Sequence, residues 1–160
     1  KEHKDIIFYV AGDGMIRGDI EGRIENENIS NLKLLPFQPR EEYFNIVNSS
    51  DISIVSLDER MMAPCLPGKL TNLLSLKQPI IGIVSPESET ANFIKSVNCG
   101  ILVESDDIMG FRNAILELKD NSILQKTLGE NGRKFVENEM NLEKNVELYH
   151  DIFNSLAGGS

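Results

Sequence analysis

The 160-residue sequence predicts an α/β protein, an open parallel five-stranded sheet in the order 2-1-3-4-5 with helices on both faces. Three observations predict it. Short apolar runs alternate with segments of helical spacing along the first two-thirds of the chain. The first of them, Ile6 to Ala11, is apolar throughout, as a strand covered on both faces is. Glycine or proline punctuates them, as at Gly12, Pro36, Pro67 and Pro79. Right-handed crossovers leave few topologies, and 2-1-3-4-5 is the simplest for five strands.

Each element follows in order. Ile6-Ile7-Phe8-Tyr9-Val10-Ala11 reads as a buried first strand, closed by Gly12-Asp13-Gly14. Ile16, Ile20 and Ile24 follow at helical spacing. Gly18 and Gly22 each weaken that helix by about 1 kcal/mol relative to Ala, which predicts a short or irregular one. Residues 32–35 form the second strand, stopped by Pro36. Pro39-Arg40-Glu41-Glu42 opens a helix carrying Tyr43, Phe44 and Val47, since proline and acids suit a first turn. Residues 52–55 form the third strand and residues 56–66 an irregular stretch. Pro67-Gly68-Lys69 starts a helix with Leu70, Leu73, Leu74 and Leu76. Residues 79–84 form the fourth strand, Ser88 caps a helix through Val97, and residues 100–103 form a short fifth strand.

The last third is helical. One stripe holds Ile108, Phe111, Ile115 and Leu118. A second holds Ile123, Leu124 and Leu128 and is interrupted by Gly129 and Gly132. A third holds Leu142, Val146, Tyr149, Phe153 and Leu156. Residues 1–156 are thus expected to form one domain, with 157–160 a linker or tag remnant.

A chain this long can bury roughly 70% of its unfolded surface, enough for a core without staples. Against 16 Lys plus Arg stand 25 Asp plus Glu, a formal charge of −9 with no basic run. That excludes a general nucleic-acid partner, which needs a cationic surface. No apolar run approaches the roughly 20 residues of a transmembrane helix, and no signal peptide is visible. Cys65 and Cys99 have no metal-ligand spacing and cannot form a disulfide framework. A cytoplasmic setting is expected, with neither metal nor cofactor.

In such sheets ligands bind beyond the carboxyl ends of the strands at the switch point, here between strands 1 and 3. Gly12-Asp13-Gly14 follows strand 1. Its plainest reading is a strand-to-helix turn, and it is an incomplete dinucleotide fingerprint whose third glycine would fall at Arg17. Pro67-Gly68-Lys69 is more informative. The free N–H groups of Gly68, Lys69 and Leu70, with the helix dipole and a mobile cation, suit a diphosphate. An exposed lysine on an ordinary first turn fits equally well, and the Walker spacing is absent. In Phe37-Gln38-Pro39-Arg40 the aromatic ring can flank a base, although a Phe closing the core at a strand end is the plainer reading. Asp58 and Glu59 can meet sugar hydroxyls or stand solvated in the loop. His3 and His150 have no partner at catalytic spacing.

Taken in order, these segments carry a resemblance. Phe8-Tyr9-Val10-Ala11-Gly12-Asp13-Gly14, Leu34-Leu35-Pro36-Phe37 and Ser49-Ser50-Asp51-Ile52-Ser53-Ile54-Val55 are followed by Pro67-Gly68-Lys69-Leu70 and Lys77-Gln78-Pro79-Ile80-Ile81. Cys99-Gly100-Ile101-Leu102-Val103 and Asn131-Gly132-Arg133-Lys134-Phe135-Val136 complete the set. The whole resembles the C-terminal, nucleotide-sugar-binding half of a GT-B glycosyltransferase of family 4, of the branch that builds bacterial surface polysaccharides.

The resemblance implies a Rossmann-like donor domain for a UDP- or GDP-linked sugar, moving that sugar to a glycan or lipid-linked acceptor. It implies that Gly12, Gly14, Gly68 and Lys69 hold the diphosphate and that the segment from Phe37 to Arg40 contacts the base. The family's E-x7-E pair falls at Pro64 and Asn72, so both carboxylates are replaced; Asn72 can still hydrogen-bond ribose. No catalytic residue is named. The family's first strand–helix unit, with its Gly-Arg pair and phosphate-binding lysine, is not in this chain, nor is the acceptor-binding N-terminal half. Removing that strand from the order 3-2-1-4-5-6 leaves 2-1-3-4-5. The chain is therefore expected to be part of a retaining enzyme, inactive alone, with the full enzyme cytoplasmic and peripheral to the inner membrane. The alternative is a non-catalytic binding or interaction module on a flavodoxin-like sheet. A receiver domain of that kind needs clustered acids after strand 1, where only Asp13 stands, and a flavin module needs a Ser/Thr-rich loop there.

Overall fold

A computed structural model describes residues 3–58 and 66–157. Its elements alternate as expected: β1 (Phe8–Ala11), α1 (Arg17–Asn26), β2 (Leu32–Leu35), α2 (Arg40–Asn48), β3 (Ser53–Ser56), α3 (Gly68–Ser75), β4 (Ile80–Ile83), α4 (Glu89–Val97) and β5 (Gly100–Val103). Three helices follow, α5 (Ile108–Asp120), α6 (Ser122–Glu139) and α7 (Leu142–Ala157). The chain divides into two compact units, Lys1–Ile46 and Val47–Ser160.

In the first unit β1 and β2 pair in parallel, from Phe8 opposite Leu32 to Ala11 opposite Leu35. The ladder runs one residue further, because the Gly12 amide donates to the Leu35 carbonyl at 3.1 Å. Crossover helix α1 runs ten residues despite Gly18 and Gly22, supported by the i,i+4 pairs Arg17–Glu21 and Arg23–Glu27. It ends in a Schellman turn: Asn28 takes φ 50°, and the amides of Asn28 and Ile29 donate to the carbonyls of Glu25 and Ile24.

In the second unit β3, β4 and β5 form a parallel sheet, with Ser53 opposite Ile80 and Ile80 opposite Gly100. Val55, Leu70, Leu74, Ile80, Ile81, Ile94 and Leu118 are fully buried around it. A side chain at Gly100 would run into the Ile80 carbonyl, so only glycine allows this strand approach. The buried Gln78 amide ties the unit's start to its sheet. Its Nε2 donates to the carbonyls of Val47 (2.9 Å) and Ser50 (3.1 Å), and its Oε1 accepts from the Ser53 hydroxyl (3.0 Å). Helix α4 is capped by the Ser88 hydroxyl, which accepts from the Ala91 amide at 3.1 Å. Helices α3 and α4 end in Schellman turns at Lys77 (φ 58°) and Asn98 (φ 52°).

Four expectations need correction. The parallel α/β class stands, but the single five-stranded sheet does not. The ladders give two sheets, β1-β2 and β3-β4-β5, and none joins β1 to β3 among the described residues. Strand β1 is therefore not buried. With a partner on one edge only, its Tyr9 and Val10 are about half exposed.

Helix α6 is not interrupted at its glycines. It runs continuously through Gly129, where a Cβ would collide with the Lys77 carbonyl, and Gly132, where one would lie 2.6 Å from Leu74 Cδ2. Both glycines serve close packing. Finally, the third stripe is no core: Leu142, Val146, Tyr149, Phe153 and Leu156 on α7 are all exposed. Smaller shifts are local. The third strand starts at Ser53 and ends at Ser56 because its ladder with β4 runs from Ile80 to Ile83. Glu59, Pro64 and Cys65 lie outside the described residues, as do Gly158, Gly159 and Ser160.

Candidate functional site

The candidate residues fall in both units, Gly12, Gly14, Phe37 and Arg40 in the first and Gly68, Lys69 and Asn72 in the second.

In the first unit the turn after β1 is tightly bonded. Gly12 has φ 149°, a conformation that side chains rarely adopt, and this explains its glycine. Its amide is taken by Leu35, and the Gly14 amide by Asp13 Oδ1 at 2.8 Å. These two glycine amides are thus engaged within the chain. At the start of α1 the Arg17 amide donates to the Gly14 carbonyl at 3.1 Å, and Ile16 before it provides no side-chain cap. A Cβ at Gly14 would meet nothing within 4 Å, so packing inside the protein does not demand a glycine there.

Arg17 is the residue that reading the sequence missed. Its Nη1 donates to the Gly12 carbonyl at 2.7 Å and to the Leu35 carbonyl at 3.1 Å, and its Nε to Glu21 Oε1 at 2.8 Å. The signal was the failed third glycine of the fingerprint, a long cation where the pattern wants no side chain.

The segment after β2 is held by Gln38, whose Nε2 donates to the Pro36 carbonyl at 2.8 Å. Phe37 does not close the core: it is 82% exposed. Arg40, the first residue of α2, lies over the Phe44 ring at 5.4 Å, a cation–π contact along the helix.

In the second unit α3 starts without a side-chain cap, since its N-cap residue is Pro67. One of its three expected amides is not available: Leu70 N–H donates to the Pro67 carbonyl at 2.8 Å. Gly68 and Lys69 amides have no acceptor among the described residues, as orphan donors of a first turn. Lys69 is exposed and its ammonium has no partner among the described residues. A Cβ at Gly68 would meet open space. Asn72 is exposed one turn on from Gly68, at the spacing that puts two residues on one helix face, while Leu70, Leu73 and Leu74 bury the other. Helix α3 is thus anchored by three leucines and offers two amides, one ammonium and one carboxamide. That is an anion-binding set with a hydrogen-bonding neighbour.

The sequence pattern of the family described as glycosyl transferases group 1 matches residues 1–135. The chain belongs to that family. One relative is the UDP-Gal:alpha-D-GlcNAc-diphosphoundecaprenol alpha-1,3-galactosyltransferase of Escherichia coli, 27% identical over 150 residues, 93% of this chain and 37% of the relative. Another is an uncharacterized glycosyltransferase of Methanocaldococcus jannaschii, 28% identical over 155 residues, 96% of this chain and 42% of the relative. The chain thus spans about two-fifths of the curated relatives it matches.

Solved structures agree on the fold. A variant of S. aureus TarM, crystallised with UDP among its ligands, matches with a TM-score of 0.71 at 18% identity, over 92% of this chain and 29% of that one. Sucrose-phosphate synthase from Thermosynechococcus elongatus matches at 0.67 and 20% identity, over 96% and 39%. This group 1 glycosyltransferase chain is therefore Rossmann-like, similar to GT-B folds, though its ladders are split into two sheets. Among its described residues no helix is long and apolar enough to cross a membrane.

Proposed function

We propose that this chain supplies the donor-binding part of a glycosyltransferase that moves a sugar from a nucleoside-diphosphate sugar to a glycan or lipid-linked acceptor. Family membership supports the reaction class. The activity that names the E. coli relative supports UDP as the nucleotide and a lipid-linked acceptor. On this reading the Gly68 and Lys69 amides and the Lys69 ammonium receive the diphosphate, and Asn72 bonds ribose. Gly12 shapes the turn after β1, Gly14 leaves it room for a phosphate, and Phe37 offers its exposed ring to the base. Arg40 holds the base-side segment through Phe44. Acceptor binding belongs to parts of the protein outside this chain, and the enzyme works in the cytoplasm at the inner membrane.

The observation that carries this reading is the start of α3, where the helix has no side-chain cap and the Gly68 and Lys69 amides and the Lys69 ammonium have no partner among the described residues. A charge-assisted hydrogen bond from Lys69 contributes about 1.5–3 kcal/mol, roughly ten- to a hundredfold in affinity. NMR titration with UDP and GDP tests it. In the parent, shifts at Gly68 and Lys69 are expected on adding UDP. Lys69→Ala is expected to lose ten- to a hundredfold in affinity with thermal unfolding nearly unchanged, because an exposed first-turn lysine contributes little to stability. Equal binding by parent and variant refutes the site.

A further inference from the structure

We propose that Arg17 is a positioning residue that fixes the turn after β1 to the end of β2 and so sets how the nucleotide's base and phosphates are read. The inference rests on the donor-site reading above. It starts from an irregularity: position 17 is where a dinucleotide fingerprint has its third glycine, and this chain has an arginine there.

The guanidinium explains the exchange. The carbonyls of Gly12 and Leu35 stand at the ends of β1 and β2. Arg17 Nη1 donates to both, at 2.7 Å and 3.1 Å. The Leu35 carbonyl also accepts from the Gly12 amide, so Arg17 closes a three-way junction among the two strand ends and the start of α1. Its Nε is paired with Glu21, one turn along α1, which aims the fork.

Two consequences follow. Carbonyl oxygens facing a phosphate repel it, and a cation bonded to them removes that repulsion. In addition, the Asp13-Gly14 turn and Pro36-Phe37, which directly follow the two bridged residues, are held at one fixed spacing. Arg17 itself is spent on two carbonyls and a carboxylate, so it acts through the backbone and not as a phosphate ligand. Lysine cannot replace it, because a single ammonium lacks the planar fork that serves Glu21 and the carbonyls together.

The test measures affinities for UDP and GDP by NMR titration in the parent, Arg17→Ala, Arg17→Lys and Glu21→Gln. The parent is expected to prefer one base. Arg17→Ala is expected to bind the preferred nucleotide at least tenfold more weakly and to bring the UDP-to-GDP ratio close to one. Arg17→Lys, which keeps the charge, is expected to stay folded and still lose most of the discrimination. Glu21→Gln, which keeps both carbonyl bonds, is expected within threefold of the parent. A role confined to stability lowers both affinities by one common factor and leaves their ratio alone; that result overturns the proposal, as does an unchanged Arg17→Lys. A parent that binds neither nucleotide overturns the donor-site reading and this inference together. A parent that binds, with variants that match it, overturns the inference alone.

Discussion

Cys99 shows how far a single side chain's chemistry is set by its surroundings. The thiol is fully buried, its Sγ 3.9 Å from the Ile94 carbonyl, and burial pushes its pKa up from the usual 9.0 to about 11. Below pH 9 the folded and unfolded chains both keep the proton. Between pH 9 and 11 the unfolded chain releases it and the native one does not, so stability falls as pH rises through that window. Burial raises Tyr43 as well, in the same direction from pH 10 upward. Thermal unfolding of the parent should therefore drop more steeply from pH 9 to 11 than that of Cys99→Ala; parallel curves would contradict it. Single residues also mark the limits of reading a sequence. Lys69 could be picked from Pro-Gly-Lys at a helix start, because that geometry is local. Phe37 could not, because whether a strand-end aromatic turns inward depends on what else covers it, and here it stays exposed.

At the scale of elements, glycine has two meanings that spacing alone does not separate. Gly18 and Gly22 are ordinary helix weakeners, with open space where a Cβ would be. Gly129 and Gly132 look the same in the sequence but bring α6 against the end of α3. Ala gains about 1 kcal/mol over Gly in a free helix. At Gly129 that gain is outweighed, since the methyl meets the Lys77 backbone at a residue already held at φ 58°. Gly129→Ala should cost up to about 2 kcal/mol net in chemical denaturation, an overpacking penalty of about 1–3 kcal/mol less the helix gain, whereas Gly22→Ala should stabilise by up to about 1 kcal/mol. Stabilisation at both positions would refute the packing role. Helix ends were legible where a side chain acts as cap, as at Ser88. They were not legible where a backbone turn does it, as at Lys77, a residue type with no preference for that conformation.

At the scale of the whole molecule, the chain spans about two-fifths of its curated relatives. If donor and acceptor sites belong to different parts of such enzymes, this chain alone should bind nucleotide and transfer nothing. Purified chain given UDP-galactose and a lipid-linked acceptor is expected to release no UDP above the background without protein. Turnover above that level would show that the acceptor site lies within these 160 residues.

The sequence by itself determined the alternation of strands and helices, the parallel class and the family, because apolar runs, glycine and proline punctuation and helix-start chemistry act within a few residues of each other. Only the tertiary structure decided the sheet: β1-β2 and β3-β4-β5 are separate ladders. A strand's hydrogen-bond partners lie tens of residues away, and nothing in Phe8-Tyr9-Val10-Ala11 records whether one edge or both will be paired. The same holds for Arg17 and Gln78. Each is a polar residue whose role lies in carbonyls brought to it by folding, Leu35 for one and Val47 for the other. Local pattern carries propensity, while the closing of a hydrogen bond over 18 or 31 residues depends on the chain path between.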